Sequence, residues 1–240
     1  MKTAVIYHYY EANLNYKDNF VFFLNTAIVD ALEYFIYISS SCSVKLPKRK
    51  NIKYRYIENK NSDFGRLVEF HKEFQLIAFS AYIFINCSVR GPFIPSYFHE
   101  NWYKIFSSRL SKDMALVGSS INILPSSTKH SELFSKSYLY KPPYIHVQTT
   151  AYAISQNGYN ILSLKGFFDE DRLLGKNDVI CRYEILMSQI ILESGHSIGS
   201  ILPTQHEFNN EKIEPTFQST TFNGDPLYKH AFYGRSISPL

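Results

Sequence analysis

Ala4 to Tyr7 is a short apolar run closed by polar aromatics, the pattern of a buried strand. Asn19 to Leu32 carries apolar residues at helical spacing, with Phe20, Phe23, Leu24, Ala27, Ile28 and Ala31 on one stripe. Phe35 to Ile38 predicts a second strand, ending abruptly in the serine-rich segment Ser39 to Ser43. Ile52 to Ile57 alternates and predicts a third, followed by the polar loop Glu58 to Gly65 and a helix from Arg66 to about Phe79. Tyr82 to Ile85 reads as a fourth strand, stopped by Asn86 to Pro92. Strand, helix, strand, loop, strand, helix, strand is an order that builds an α/β fold, with a mostly parallel central sheet and helices on both faces.

The second half is less regular. Ser96 to Leu110 predicts a helix containing Trp102, and Met114 to Val117 a strand. Pro125 to Pro143 is polar and rich in Ser, Lys and Tyr, which predicts a loop able to act as a mobile lid. His146 to Ile154 predicts one further strand. Asn177 and Asp178 look like a helix start with Asp178 at or near the N-cap, and that helix is expected to run to about Ser194 and close at Gly195. The tail from Thr204 is polar, and its end, Gly234 to Leu240, shows no obvious terminating element. With no internal repeat and no low-complexity linker, residues 1–240 are expected to form a single domain.

In a parallel sheet with this order of elements, ligands bind in the crevice beyond the carboxyl ends of the strands. The polar segments Tyr7–Glu11, Ser39–Ser43, Glu58–Gly65 and Asn86–Arg90 all fall at those ends. Four polar loops converging on one edge predict a site there, whatever its chemistry.

Composition narrows the class. The chain has 240 residues, 45% hydrophobic and 19% charged, which fits a folded core and excludes disorder. The 19 Tyr and 19 Phe favour surfaces that hold polar ligands through rings and hydroxyls. Cys42, Cys87 and Cys181 are too few and too scattered for a disulfide framework or a zinc site, which suggests a reducing compartment. The net charge is +4, and the run from Lys45 to Lys50 holds four of the basic residues. That run reads as a solvated loop before a strand rather than a broad nucleic-acid-binding face. The first ten residues read as strand and turn rather than a signal peptide, and no stretch reaches the roughly 20 apolar residues that cross a bilayer. The expectation is a cytoplasmic protein, at most peripheral at a membrane, with no nucleic-acid partner. Dinucleotide-binding, P-loop, Gly-x-Ser-x-Gly and His-Glu-x-x-His motifs are missing from the sequence. The histidines are dispersed, and His8, at the end of the first strand, is the one placed to reach the crevice.

The segment Asn59-Lys-Asn-Ser-Asp-Phe-Gly65, then a helix, then Tyr82-Ile-Phe-Ile-Asn-Cys-Ser88 resembles the centre of a Rossmann-like GT-A glycosyltransferase. Gly166-Phe-Phe-Asp-Glu-Asp171 and Gly175-Lys-Asn-Asp-Val-Ile-Cys181 resemble the family-2 pattern ahead of an acceptor-side helix, and Asn86-Cys-Ser-Val-Arg-Gly-Pro92 resembles a segment of rhamnan-synthesis-type polysaccharide enzymes. The resemblance spans roughly residues 3 to 200. It implies an inverting transferase that moves a hexose or deoxyhexose from a nucleotide diphosphate sugar, such as a UDP sugar, to a glycan acceptor. The first 95 residues or so would hold the donor, and residues from about 96 onward the acceptor. It also implies Asp178 as catalytic base, with Glu184 in reserve on the same helix. The donor would meet Tyr7, Tyr9, Glu11, Ser39, Ser40, Asn59, Asp63, Asn86, Ser88 and Arg90, and Gln148 and Trp102 would line the acceptor pocket.

Two departures stand out against that pattern. The position of the family's Asp-x-Asp metal motif reads Asn86-Cys87-Ser88, and the Glu-Asp position reads Asn177-Asp178. Mn²⁺ and Mg²⁺ prefer carboxylate oxygens. A metal on Asn86 and Ser88 would therefore depend on the donor diphosphate for most of its ligands, unless a cation such as Arg90 replaces it. The same departure leaves open a catalytically silent domain of this fold that binds a nucleotide or glycan.

Overall fold

Strands that are apolar throughout need cover on both faces. In the computed structural model, which describes residues 2–94 and 98–201, β1 (Thr3–Tyr9), β2 (Leu32–Ile38) and β4 (Ala81–Asn86) are buried almost end to end. They form the middle of a seven-stranded sheet that also contains β3 (Ile52–Tyr56), β5 (Met114–Gly118), β8 (Ala151–Ser155) and β9 (Ser197–Ser200), in the order β3-β2-β1-β4-β8-β5-β9. All neighbours pair parallel except β8, which runs antiparallel to both β4 and β5. The fold is thus α/β with a mostly parallel central sheet.

The two-residue alternation of β1 divides the core. Val5, Tyr7 and Tyr9 pack with Phe20, Phe23 and Trp102 on the side of α1 (Leu14–Thr26) and α3 (Lys104–Ser107). Ala4 and Ile6 pack on the other side with residues of α2 (Gly65–Phe74), α5 (Gln156–Leu164) and α7 (Leu186–Glu193). Helices cover both faces, as the pattern required. Among the described residues no helix is long and apolar enough to cross a membrane.

Several boundaries differ from the sequence reading. α1 starts earlier, because Asn13 caps it by accepting from the Tyr16 amide at 3.0 Å. It also stops earlier. The Ala27 carbonyl accepts from Trp102 Nε1 at 2.8 Å and from the Tyr34 hydroxyl at 2.5 Å, and the chain leaves the helix there. α2 likewise ends at Phe74 rather than near Phe79. The polar segment 125–143 is not an open loop. It contains α4 (Lys129–Ser137), capped by Thr128 and anchored by Phe134 among Tyr138, Tyr140 and Tyr144.

The expected strand His146–Ile154 is two strands. β7 (Tyr144–Val147) pairs with β6 (Ile121–Leu124) in a separate small sheet, and β8 then enters the main sheet. Of the helix expected over Ser96–Leu110, only α3 forms. Residues 95–97 and the tail beyond 201 lie outside the described residues. β6, α5 and β9 went unpredicted.

The long helix at 176–193 has three parts: α6 (Lys176–Val179), a π-helical stretch Ile180–Ile185, and α7. Gly175, not Asp178, is its N-cap, and Asp178 sits in the first turn.

Burial pushes the imidazole of His8 down to about 3 and that of His146 down to about 4, and it also lowers that of His71. A histidine held neutral in the fold stabilises it above the unfolded value of about 6.5, and that contribution drains away as pH falls below it. The melting temperature should therefore drop between pH 7 and pH 5. His146 Nδ1 has no hydrogen-bond partner among the described residues, so H146L should make the drop shallower. Melting curves of both proteins across that range check this, and an unchanged slope in H146L contradicts it.

Candidate functional site

The carboxyl ends of β1, β2 and β4 lie along one edge, and the start of β8 joins them because that strand runs the other way. The loop after β3 reaches this edge through a tight turn. Asn61 and Ser62 both adopt φ of 55°, and a single 3₁₀ turn follows at Ser62–Phe64. Asn tolerates that left-handed backbone better than most residues. Its side chain also fixes the turn, with Nδ2 donating to the Arg172 carbonyl at 2.9 Å and Oδ1 accepting from the Leu174 amide at 2.7 Å. At Gly65 an added Cβ would lie 2.2 Å from the Lys60 carbonyl oxygen, so only glycine lets the loop close on α2.

This turn delivers Asp63 and Arg66. Arg66 is 1% exposed. Its Nη1 donates to the Asp63 carbonyl at 2.5 Å and lies 3.4 Å from Asp63 Oδ2. The same Oδ2 accepts from Asn86 Nδ2 at 2.8 Å. Asn86 Oδ1 accepts twice from Ser88, from its amide at 3.1 Å and its hydroxyl at 2.5 Å. Beside them His8 Nε2 and Ser39 Oγ share a hydrogen bond of 2.7 Å.

Tyr152 of β8 and Glu184 of the π-helical stretch complete the group. Burial, and after it the Asp63 charge, push the Glu184 carboxyl up to about 7. Glu184 has no hydrogen bond or ion pair among the described residues. Burial also raises the Tyr152 phenol, with Arg66, Asp63 and Glu184 near enough to act on it. Burial and the Arg66 charge keep His8 neutral. Tyr152 Oη and Arg66 Nε are both buried without a hydrogen-bond partner among the described residues. A buried polar atom left unpaired costs about 1–3 kcal/mol, and these two lie near enough to interact, where a bound group could satisfy both. Chemically, the cluster offers a carboxyl that exchanges its proton near neutral pH, one fixed cation and two donors without acceptors.

Of the sequence-predicted residues, Asp63, Asn86, Ser88, Ser39 and Glu184 come together here. Others do not. Tyr7 faces the α1 side, where its ring lies 4.3 Å from Phe23 and 5.3 Å from Phe20, fully enclosed; strand alternation removes it from the crevice. Tyr9 stacks on Phe20 at 4.1 Å and donates to Glu11 at 2.8 Å. Glu11 accepts from the Ser43 amide at 2.7 Å, and its own amide donates to Ser40 Oγ at 2.8 Å. Glu11 and Ser40 thus clasp the loops after β1 and β2, and the bonds from Ser43 hold the Glu11 carboxyl below its usual range. Asn59 is exposed, while its neighbour Asn61 does the anchoring. Arg90 is exposed and lies over the Phe22 ring at 4.8 Å, on the α1 side. Trp102 is core. Asp178 is exposed; an added Cβ at Gly175 would meet its Oδ2 at 3.3 Å, and it shares no hydrogen bond or ion pair with the Asp63 group.

The residues at the expected metal position do not fit a divalent cation. Both acceptor directions of Asn86 Oδ1 are used by Ser88, its amide nitrogen faces Asp63, and the Asp63 oxygen toward it already has the Arg66 guanidinium nearby. Among the described residues no three His, Cys, Asp or Glu side chains converge as a metal site. Sequence reasoning missed Arg66, Tyr152 and Asn61. Arg66 opens a helix whose next residues, Leu67, Val68 and Phe70, are core, and a charged residue on a core-facing stretch was the available signal.

No protein-family model matches the chain, and no curated protein matches it in sequence. Among solved structures it is similar to the mannosyltransferase PcManGT from Pyrobaculum calidifontis in complex with GDP-Man and Mn²⁺, at 10% identity and a TM-score of 0.45, over 82% of this chain. The chain spans about half, 53%, of that structure's length. A likeness this loose transfers no residue roles.

Replacing Asn61 tests the turn. N61A loses two hydrogen bonds and keeps a strained backbone, so unfolding in urea should show a loss of about 2–4 kcal/mol. N61G loses the same bonds but not the backbone fit, and should cost about 1 kcal/mol less. Equal losses would mean that the left-handed turn contributes nothing.

Proposed function

We propose that the protein is a nucleotide-sugar-dependent glycosyltransferase whose catalytic base is Glu184. The observation that carries this reading is a carboxyl with a value near 7 and no hydrogen bond or ion pair among the described residues, near enough to Asp63 and Tyr152 for their charges to interact, at the carboxyl edge of a mostly parallel sheet. The order of motifs along the chain supports the same reading. In an inverting transfer the acceptor oxygen attacks the anomeric carbon of a hexose or deoxyhexose as the bond to the diphosphate breaks. A base takes the acceptor proton, and positive charge stabilises the departing diphosphate. Glu184 suits the first role better than Asp178, because a solvated carboxylate is a weaker base than one destabilised by burial. Arg66 is the fixed cation at this edge. Asn86 Oδ1 accepts twice from Ser88, so no step of the reaction is assigned to a metal there.

Release of nucleoside diphosphate from a panel of nucleotide sugars, with and without a glycan acceptor, tests the reading. E184Q should lower the rate by about 10²–10⁴-fold, the range of general-base contributions, while D178N stays within a few-fold of the parent. The parent rate should rise with pH and level off above about 7 as Glu184 loses its proton. The opposite ranking of the two variants would return the base role to Asp178. The closed hydrogen bonding of Asn86 and Ser88 favours a second reading, a domain that binds a nucleotide sugar without turning it over. A donor that raises the melting temperature yet releases no diphosphate with any acceptor would select it.

The same carboxyl makes a prediction about stability. Its folded value lies above the ordinary 4.5. Its favourable contribution is therefore complete at low pH and is lost as pH rises through about 7. E184Q should gain melting temperature relative to the parent between pH 5 and pH 8. Parallel shifts of both proteins across that range would show that Glu184 is not held protonated by the fold.

A further inference from the structure

The opposite edge of the sheet carries features that the proposed reaction does not use. There the strands begin. Asn51, Leu32, Thr3, Ala81 and Ser155 stand side by side at the starts of β3, β2, β1 and β4 and at the end of the reversed β8. A cavity of about 730 Å³ opens along this row. Its wall includes Lys2, Ser80, Lys104, Ser111, Ser155 and Asn157, with further serines and amides between them, and no carboxylate lines it. A second hollow of about 700 Å³ shares Lys2 and continues past Lys48, Arg49 and Lys50. Its carboxylates, Asp30 and Glu33, pair with Arg49 at 3.7 Å and with Lys2 at 2.6 Å. Among the described residues Lys48, Lys50 and Lys104 form no ion pair.

We propose that this amino-terminal edge is a binding site for a small phosphate-bearing molecule. The volume lies within the range of small-molecule sites, about 300–1,000 Å³. The first cavity supplies what a phosphate needs, the ammonium of Lys104, which has no ion pair among the described residues, and that of Lys2, shared with Glu33, together with hydroxyl and amide groups, and no carboxylate is among its described lining residues. The seven-residue length of β1 sets this edge about 20 Å from the Asp63–Glu184 cluster. The two sites are therefore physically separate. A concave, hydroxyl-lined cavity suits a soluble ligand better than a flat membrane surface.

Pyrophosphate is the probe. Acylation of lysines on the full-length chain, read by mass spectrometry, should show Lys2 and Lys104 protected severalfold at saturating pyrophosphate, with Lys136 on α4 unaffected. K2Q/K104Q changes two exposed side chains, gives up only the surface pair of Lys2 with Glu33, and should melt within a few degrees of the parent. It should also raise the pyrophosphate concentration needed for thermal stabilisation by about tenfold or more, the worth of a lost charge-assisted contact. Raising salt from about 50 mM to about 500 mM should weaken binding in the parent, as expected for exposed charges. Unchanged reactivity at Lys104, or the same midpoint in K2Q/K104Q, overturns the proposal. So does co-sedimentation with phosphatidylglycerol vesicles in the absence of any response to pyrophosphate, which would make the edge a membrane contact instead.

Discussion

A guanidinium enclosed by protein is tolerated only where a carboxylate and carbonyls meet it. Arg66 is such a group, and the carboxyl edge of the sheet is organised around it. Its partner Asp63 must be held in place, which requires the left-handed turn at Asn61 and Ser62 and the bare backbone at Gly65. Asp63 in turn orients Asn86, and its negative charge adds to the burial that keeps a proton on Glu184 near neutral pH. One buried cation thus sets the geometry of a loop and, through its counter-ion, the protonation of a side chain from a distant helix.

The β1, β2 and β4 part of the central sheet was legible in the sequence because those strands are apolar throughout and the polar segments cluster at one end. All six elements read over residues 3–86, four strands and two helices, are present. Legibility failed where polar residues hide a local device. Thr128 caps a short helix within a segment that composition alone marks as loop, and only Phe134 and the neighbouring tyrosines reveal that it packs. The two strands read as one at 146–154 are both apolar, and nothing local says that the chain changes sheets between them.

The site was half legible. Asp63, Asn86, Ser88 and Glu184 were found by their place in an ordered set of motifs, yet which carboxylate matters depends on burial, and burial is not written in a motif. Asp178 reads as the better base on paper and faces solvent in the fold, whereas Glu184, half-buried within an irregular helical turn, becomes the one with a shifted proton affinity. π-helical turns recur at functional positions because the widened turn redirects a side chain that regular helix would aim elsewhere. Tyr7 failed for the converse reason: a strand's two-residue alternation outranks its closeness to the strand end.

The reversed direction of β8 has a further effect, on assembly. Because that strand runs against its neighbours, Tyr152 reaches the working edge from the strand's beginning, and Glu184 arrives later still from the long helix. His8, Asp63, Asn86, Tyr152 and Glu184 are far apart in the chain and become neighbours only when the last helix docks. Contacts of such long range form late in folding. A chain that stops short of the π-helical stretch therefore lacks the Glu184 carboxyl, and the cluster around Arg66 and Asp63 is incomplete until that stretch docks.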